Sequence, residues 1–133
     1  MQNTFAESIV ALKILTDRMC EGQNKTNGLF LASHQMLFVL YKEGTLSPSV
    51  LKTRLGLAKS NLAILAKQLI KKGLISSNKN YANRKEVYYS LTKEGEDELM
   101  QKLDQIENSI PEKLKAKAKD IENVANELQN INK

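Results

Sequence analysis

The residues best able to do chemistry in this chain are cationic, and they crowd into one stretch. Between positions 52 and 93 stand Lys52, Arg54, Lys59, Lys67, Lys71, Lys72, Lys79, Arg84, Lys85 and Lys93, against a single acid, Glu86. Ten positive charges less one leave +9, so with a total of +5 the rest of the chain carries −4. Ammonium and guanidinium groups at this density neutralise phosphates and release their counterions, which is the electrostatic footprint of a nucleic-acid surface. A solvated lysine-rich face on an ordinary helical protein has the same composition, so the charge needs a geometry beside it.

Other chemistries are thinly supplied. His34, the only histidine, would have to serve alone in any Ser-His-Asp or metal site. No paired carboxylates, nucleophile and base, Gly-rich phosphate loop or metal-ligand spacing accompanies it, so neither an enzyme nor a cofactor is expected. The single Cys20 has no partner for an internal disulfide, which fits a reducing compartment. No apolar run approaches the roughly 20 residues that span a bilayer, and the first residues lack a secretory pattern, so a cytoplasmic protein without membrane contact is expected. With 133 residues, 41% of them hydrophobic, and only two prolines, one helix-rich domain over residues 1–133 is expected.

The elements that must position the cations follow from periodicity and capping. Phe5, Ile9, Leu12, Leu15 and Met19 recur at helical steps and predict a first helix, ended by Gly22 and the polar stretch after it. A second helix is expected from about Ala32 through Tyr41, with Ser33 as N-cap, Gly44 as terminator and a nearly all-apolar middle. Ser47 as N-cap and Pro48 at the first helical position open a short third helix closed by Gly56. A fourth follows at once, with Leu62, Leu65 and Leu69 on its core face and an end at Gly73. Two helices joined by a glycine-containing turn form a helix-turn-helix, whose second member is the one that enters a major groove.

What comes next narrows the choice. Leu74 to Ser77 reads as a strand, Asn78 to Arg84 as a polar turn, and Val87 to Leu91 as a returning strand, together a basic β-hairpin of the kind called a wing. Thr92 then caps a long helix with Glu94, Glu96 and Asp97 in its first turns and an apolar stripe at Leu99, Leu103, Ile106 and Ile110. Pro111 interrupts the path, and a final helix is expected with Leu114, Ala118, Ile121, Ala125 and Leu128 near heptad spacing. The expected fold is mostly α with a small β-hairpin wing, a winged helix-turn-helix over residues 30–93. Residues 1–28 and 94–133 are expected to supply dimerisation helices.

If Leu62, Leu65 and Leu69 face inward, helical geometry turns Ser60, Ile64, Lys67 and Lys71 outward, with Asn61, Ala63 and Gln68 beside them. Ser60 and Asn61 suit base edges, Ala63 and Ile64 suit thymine methyls, and Lys67 and Lys71 suit phosphate or guanine. Lys59 at the helix start joins this candidate double-stranded-DNA surface. Asn80, Asn83, Arg84 and Lys85 at the hairpin tip complete it, an arginine there being able to enter a narrow minor groove. The bland alternatives are that Ser60 is an N-cap, Ile64 a second-side core residue and the hairpin tip merely solvated.

The blocks Leu57-Ala58-Lys59-Ser60-Asn61-Leu62, Leu69-Ile70-Lys71-Lys72-Gly73-Leu74-Ile75, Asn83-Arg84-Lys85 and Leu91-Thr92-Lys93-Glu94-Gly95, in this order, resemble the MarR family of bacterial regulators over nearly the whole chain. The resemblance implies an intertwined helical homodimer, two winged domains on a palindromic site, and often a small-molecule effector or oxidant that releases DNA. By position Arg84 looks like the family's wing arginine. Asn83 stands where the family commonly has an aspartate, and Lys85 replaces a common second arginine, keeping charge without the bidentate fork. Cys20 invites comparison with redox-sensing members, but Asp17 and Glu21 beside it disfavour a thiolate. His34 reads as structural, with a pH or ligand role open. The rival from another class is a winged-helix protein-interaction module whose lysine-rich face docks an acidic partner.

Overall fold

The structure, a computed structural model, describes residues 3–23, 32–79 and 86–131. In order, the described elements are α1 (Thr4–Gln23), α2 (Ala32–Glu43), α3 (Pro48–Leu55), α4 (Lys59–Lys71), β1 (Ile75–Lys79), β2 (Val87–Leu91), α5 (Lys93–Ser109), α6 (Glu112–Lys115) and α7 (Ala118–Ile131). The fold is mostly helical with one antiparallel hairpin, as the sequence predicts. None of the described helices is long and apolar enough to cross a membrane.

The core sits where α2, α3, α4, β1 and α5 converge. Met36, Leu37 and Leu40 of α2 meet Leu51 of α3, Leu62, Ala66 and Leu69 of α4, Ile75 and Leu99, all buried. Ala66 takes the position expected for Leu65, which packs only at the edge of the cluster. The small Ala66 side chain is buried in the cluster, and the larger leucine fills its margin.

Local chemistry fixes the helix-turn-helix. The Ser47 hydroxyl accepts the Val50 N–H at 3.3 Å, Pro48 opens α3, and Gly56 closes it in a left-handed conformation (φ 65°) with its N–H on the Lys52 carbonyl. A side chain with a Cβ resists that conformation, so the turn into α4 depends on glycine. Three boundaries depart from expectation. α1 runs through Gly22 to Gln23, and α2, which begins at Ala32 as expected with Ser33 inside its first turn rather than at the cap, continues past Tyr41 to Glu43. β1 begins at Ile75 and continues two residues past Ser77, because Asn78 and Lys79 find ladder partners in Tyr88 and Val87.

The hairpin has a third participant that the sequence did not reveal. Leu46, between α2 and α3, exchanges two backbone hydrogen bonds with Tyr89, at 3.1 and 2.8 Å, and the Thr45 and Ser90 hydroxyls meet at 2.8 Å. A two-stranded hairpin alone is marginal in water, so this bridge ties the wing root to the helical body. On the other side Thr92 does double duty. Its hydroxyl donates to the Gly73 carbonyl at 2.7 Å and accepts the Gly95 N–H at 3.0 Å, joining the end of α4 to the start of α5. A Cβ on Gly95 would collide with the Leu74 carbonyl oxygen, so the helix start lies directly against the backbone entering β1.

After Ser109 the path breaks at Pro111, as expected, but the remainder is two helices. Leu114 falls on the four-residue α6, and α7 begins only at Ala118. Both chain ends leave apolar surface uncovered: Phe5, Val10, Leu12, Ile14 and Leu15 on α1, and Ile121, Val124 and Ile131 on α7, are exposed.

Candidate nucleic-acid interface

The amphipathicity of α4 sets the face on offer. With Leu62, Ala66 and Leu69 buried, Lys59, Ser60, Asn61, Ala63, Ile64, Lys67, Gln68 and Lys71 are all exposed. Ile64 is 58% exposed, which removes the reading that makes it a second core residue. Nor does Ser60 cap the helix, since the cap position is Ala58 and carries no side-chain cap bond.

Beside this face the structure brings together residues far apart in sequence. A cleft of about 530 Å³ is lined by Ser47, Ser49 and Lys52 from the start of α3, Lys59 and Ala63 from α4, and Glu86 and Val87 at the root of β2. The first turns of both helices and the base of the wing therefore share one surface. Ser49 and Lys52 did not figure among the sequence's candidate contacts. Their signal was partly present, because Lys52 belongs to the basic block and Ser47 and Pro48 mark the helix start. Their nearness to Lys59 is a tertiary fact. Asn80, Asn83, Arg84 and Lys85 lie outside the described residues.

Not every cation of the basic block is equally available. Arg54 donates from Nε to both carboxylate oxygens of Glu43, at 3.0 and 3.1 Å, and so is committed to holding α3 against α2. Lys93 bonds Asp97 at 2.9 Å, and that hydrogen bond, aided by the Asp97, Glu96 and Glu94 charges, holds its ammonium protonated above the ordinary lysine range. Lys52, Lys59, Lys67, Lys71, Lys72 and Lys79 form no ion pair with another described residue. Those six keep their charge for an external anion.

The remaining singled-out groups lie elsewhere. His34 is buried on α2 and its Nε2 meets the Glu98 carboxylate of α5 at 3.1 Å, while Nδ1 has no hydrogen-bond partner among the described residues. It joins two core helices and shares a pocket with Leu69 and Lys72 at the far end of α4. The side chain of Cys20 lies outside the described residues.

The family description "Winged helix DNA-binding domain" matches residues 34–110, more than half of the chain, from the first turn of α2 through the end of α5. The chain belongs to this winged-helix DNA-binding family. No curated protein matches the sequence significantly. Among solved structures, a transcriptional regulator from Thermotoga maritima is similar over 97% of this chain and 94% of its own, with 24% identity and a TM-score of 0.65. The regulator AbfR in its reduced, DNA-bound form covers 98% of this chain and 90% of its own at 18% identity and a TM-score of 0.72. A mutant MarR from E. coli in complex with operator DNA covers 74% and 71% at 19% identity and a TM-score of 0.62. The winged-helix fold of this family thus agrees with the MarR resemblance read from the sequence, nearly end to end.

Proposed function

We propose that this protein is a sequence-specific regulator of transcription, a repressor, that binds double-stranded DNA as a homodimer. The observation that carries the reading is the exposed face of α4. It holds an isoleucine open to water between small and amide side chains, flanked by lysines with no ion pair among the described residues, on the helix that winged-helix domains present to a major groove. Two of the three similar structures described above hold DNA, one of them an operator. These lysines supply affinity and register through phosphates, and the shorter side chains supply base contacts. Lys52 and Ser49 join them from the start of α3. Arg84, with Asn80, Asn83 and Lys85, extends the contact from the wing into the adjacent groove.

The uncovered apolar residues of α1 and α7 support the dimer, because pairs such as Leu12 and Leu15 on α1 and Ile121 and Val124 on α7 gain most by being covered by a second copy of the chain. A two-fold pair with recognition helices about 34 to 36 Å apart reads successive major-groove faces, so the operator is a pseudo-palindrome. A small effector acting on this dimer to release DNA completes the proposal.

Selection of bound duplexes from a random pool at near-physiological salt tests it. An enriched, inverted-repeat motif is expected. A pool that returns no motif favours a module that docks an acidic protein through the same lysines. In a gel-shift titration of the selected duplex, Arg84→Ala is expected to weaken binding several-fold, by about 1 kcal/mol or more. An unchanged affinity removes the wing from the mechanism.

A further inference from the structure

We infer that α4 reads A·T-rich half-sites, with the amides of Asn61 and Gln68 set on adenine edges and the side chain of Ile64 set between them on a thymine methyl. The inference rests on the proposal that α4 enters the major groove, and it names what α4 selects there.

Positions 61, 64 and 68 are three and four residues apart, so they line up along one face of the helix, one above the next. All three are exposed, and no hydrogen bond to another described residue engages either amide. The stripe is therefore amide, alkyl, amide. In the major groove adenine presents N7 as acceptor and its N6 amino group as donor, a pair that an Asn or Gln amide matches with both of its atoms. Thymine alone presents a methyl group, and an alkyl side chain already standing in water gains by covering it.

Equally informative is the absence of a cation from positions 61, 64 and 68 themselves, the same stepping reaching a lysine only at Lys71 in the last turn. Guanine is read best by the forked donors of arginine or by lysine at O6 and N7. α4 contains no arginine, and its lysines lie at the flanks: Lys59 lines the cleft beside Lys52, and Lys67 and Lys71 lie toward the second half of the helix. Lys67 lies on the other side of Ile64 from Asn61 and Gln68, and Lys71 lies in the last turn, so both are placed for the phosphates that border the groove. Gln68, one turn beyond Ile64, is the added specificity residue.

The test has two arms. In the first, the full-length protein selects duplexes from a random pool. Half-sites dominated by A·T pairs are expected. An enriched motif dominated by G·C pairs overturns this inference and leaves the regulator reading standing, whereas a pool without any motif overturns both.

In the second arm, each thymine of the selected duplex is replaced in turn by deoxyuridine, which removes only the C5 methyl. Wild-type affinity should fall about fourfold at one position per half-site, the worth of one buried methyl. Ile64→Ala should be indifferent to that replacement, while keeping its salt-dependent affinity for random duplex as a check on folding. Gln68→Ala should lose discrimination against a G·C pair at a neighbouring position by roughly five- to 150-fold, the range of a bidentate amide contact. A wild-type protein blind to every methyl, an Ile64→Ala variant still sensitive to the same one, or a Gln68→Ala variant with unaltered base preference overturns the assignment.

Discussion

At the scale of single residues, the interface divides into cations that are spent and cations that are free. Arg54 and Lys93 resemble the others in sequence, yet each has a carboxylate within hydrogen-bond distance, at 3.0 and 2.9 Å. Lys67 has none among the described residues. Replacing Lys67 by Ala should lower affinity for all sequences alike and reduce the slope of log affinity against log salt by about one, the signature of one lost phosphate contact. Lys93→Ala should leave that slope unchanged. Binding isotherms at several salt concentrations separate the two, and equal slopes for both variants would count against the division.

The element scale concerns how the recognition helix and the wing are held in one orientation. Two short connections do this: the Leu46 bridge to Tyr89, and the Thr92 hydroxyl that spans from Gly73 to Gly95. Thr92→Val keeps the shape and loses both hydrogen bonds, so a loss of about 1 to 2 kcal/mol in unfolding free energy is expected by denaturant titration. Gly95→Ala drives a methyl into the Leu74 carbonyl and should cost about 1 to 3 kcal/mol, since the obstacle is backbone and cannot swing aside. Because α5 starts at this contact, the surviving folded fraction of Gly95→Ala should also bind DNA less well than Thr92→Val. The first variant reorients the wing root, and the second only loosens it.

For the whole molecule the decisive surface is the apolar one that a single chain leaves in water. Leu15 and Ile121 are 55% and 59% exposed, and the winged-helix core contains neither. A double substitution, Leu15→Lys with Ile121→Lys, should therefore leave the core intact while converting the proposed dimer to a monomer in sedimentation. Operator affinity should then drop by roughly a hundredfold or more, because two tethered reading heads become one. A wild-type protein that sediments as a monomer would remove the symmetric reading of the operator.

The sequence alone determined most of the elements and several of their ends, though not the division of the last helix into α6 and α7. Ser47, Pro48 and Gly56 specify α3 by local hydrogen bonding and backbone conformation, Thr92 specifies the start of α5, and the leucine spacing of α4 specifies which side faces the core. Such signals act within a few residues, where propensity and capping decide. The exposed character of Ser60, Asn61, Ala63 and Ile64 followed from the same spacing. Only the tertiary structure decided that Ala66 rather than Leu65 lies deepest, that Leu46 joins the hairpin, that Lys52 stands beside Lys59, and that Arg54 is tied to Glu43. Each of these depends on a distance between segments far apart in the chain. That distance is set by how side chains fill shared space, which no periodicity within one segment encodes.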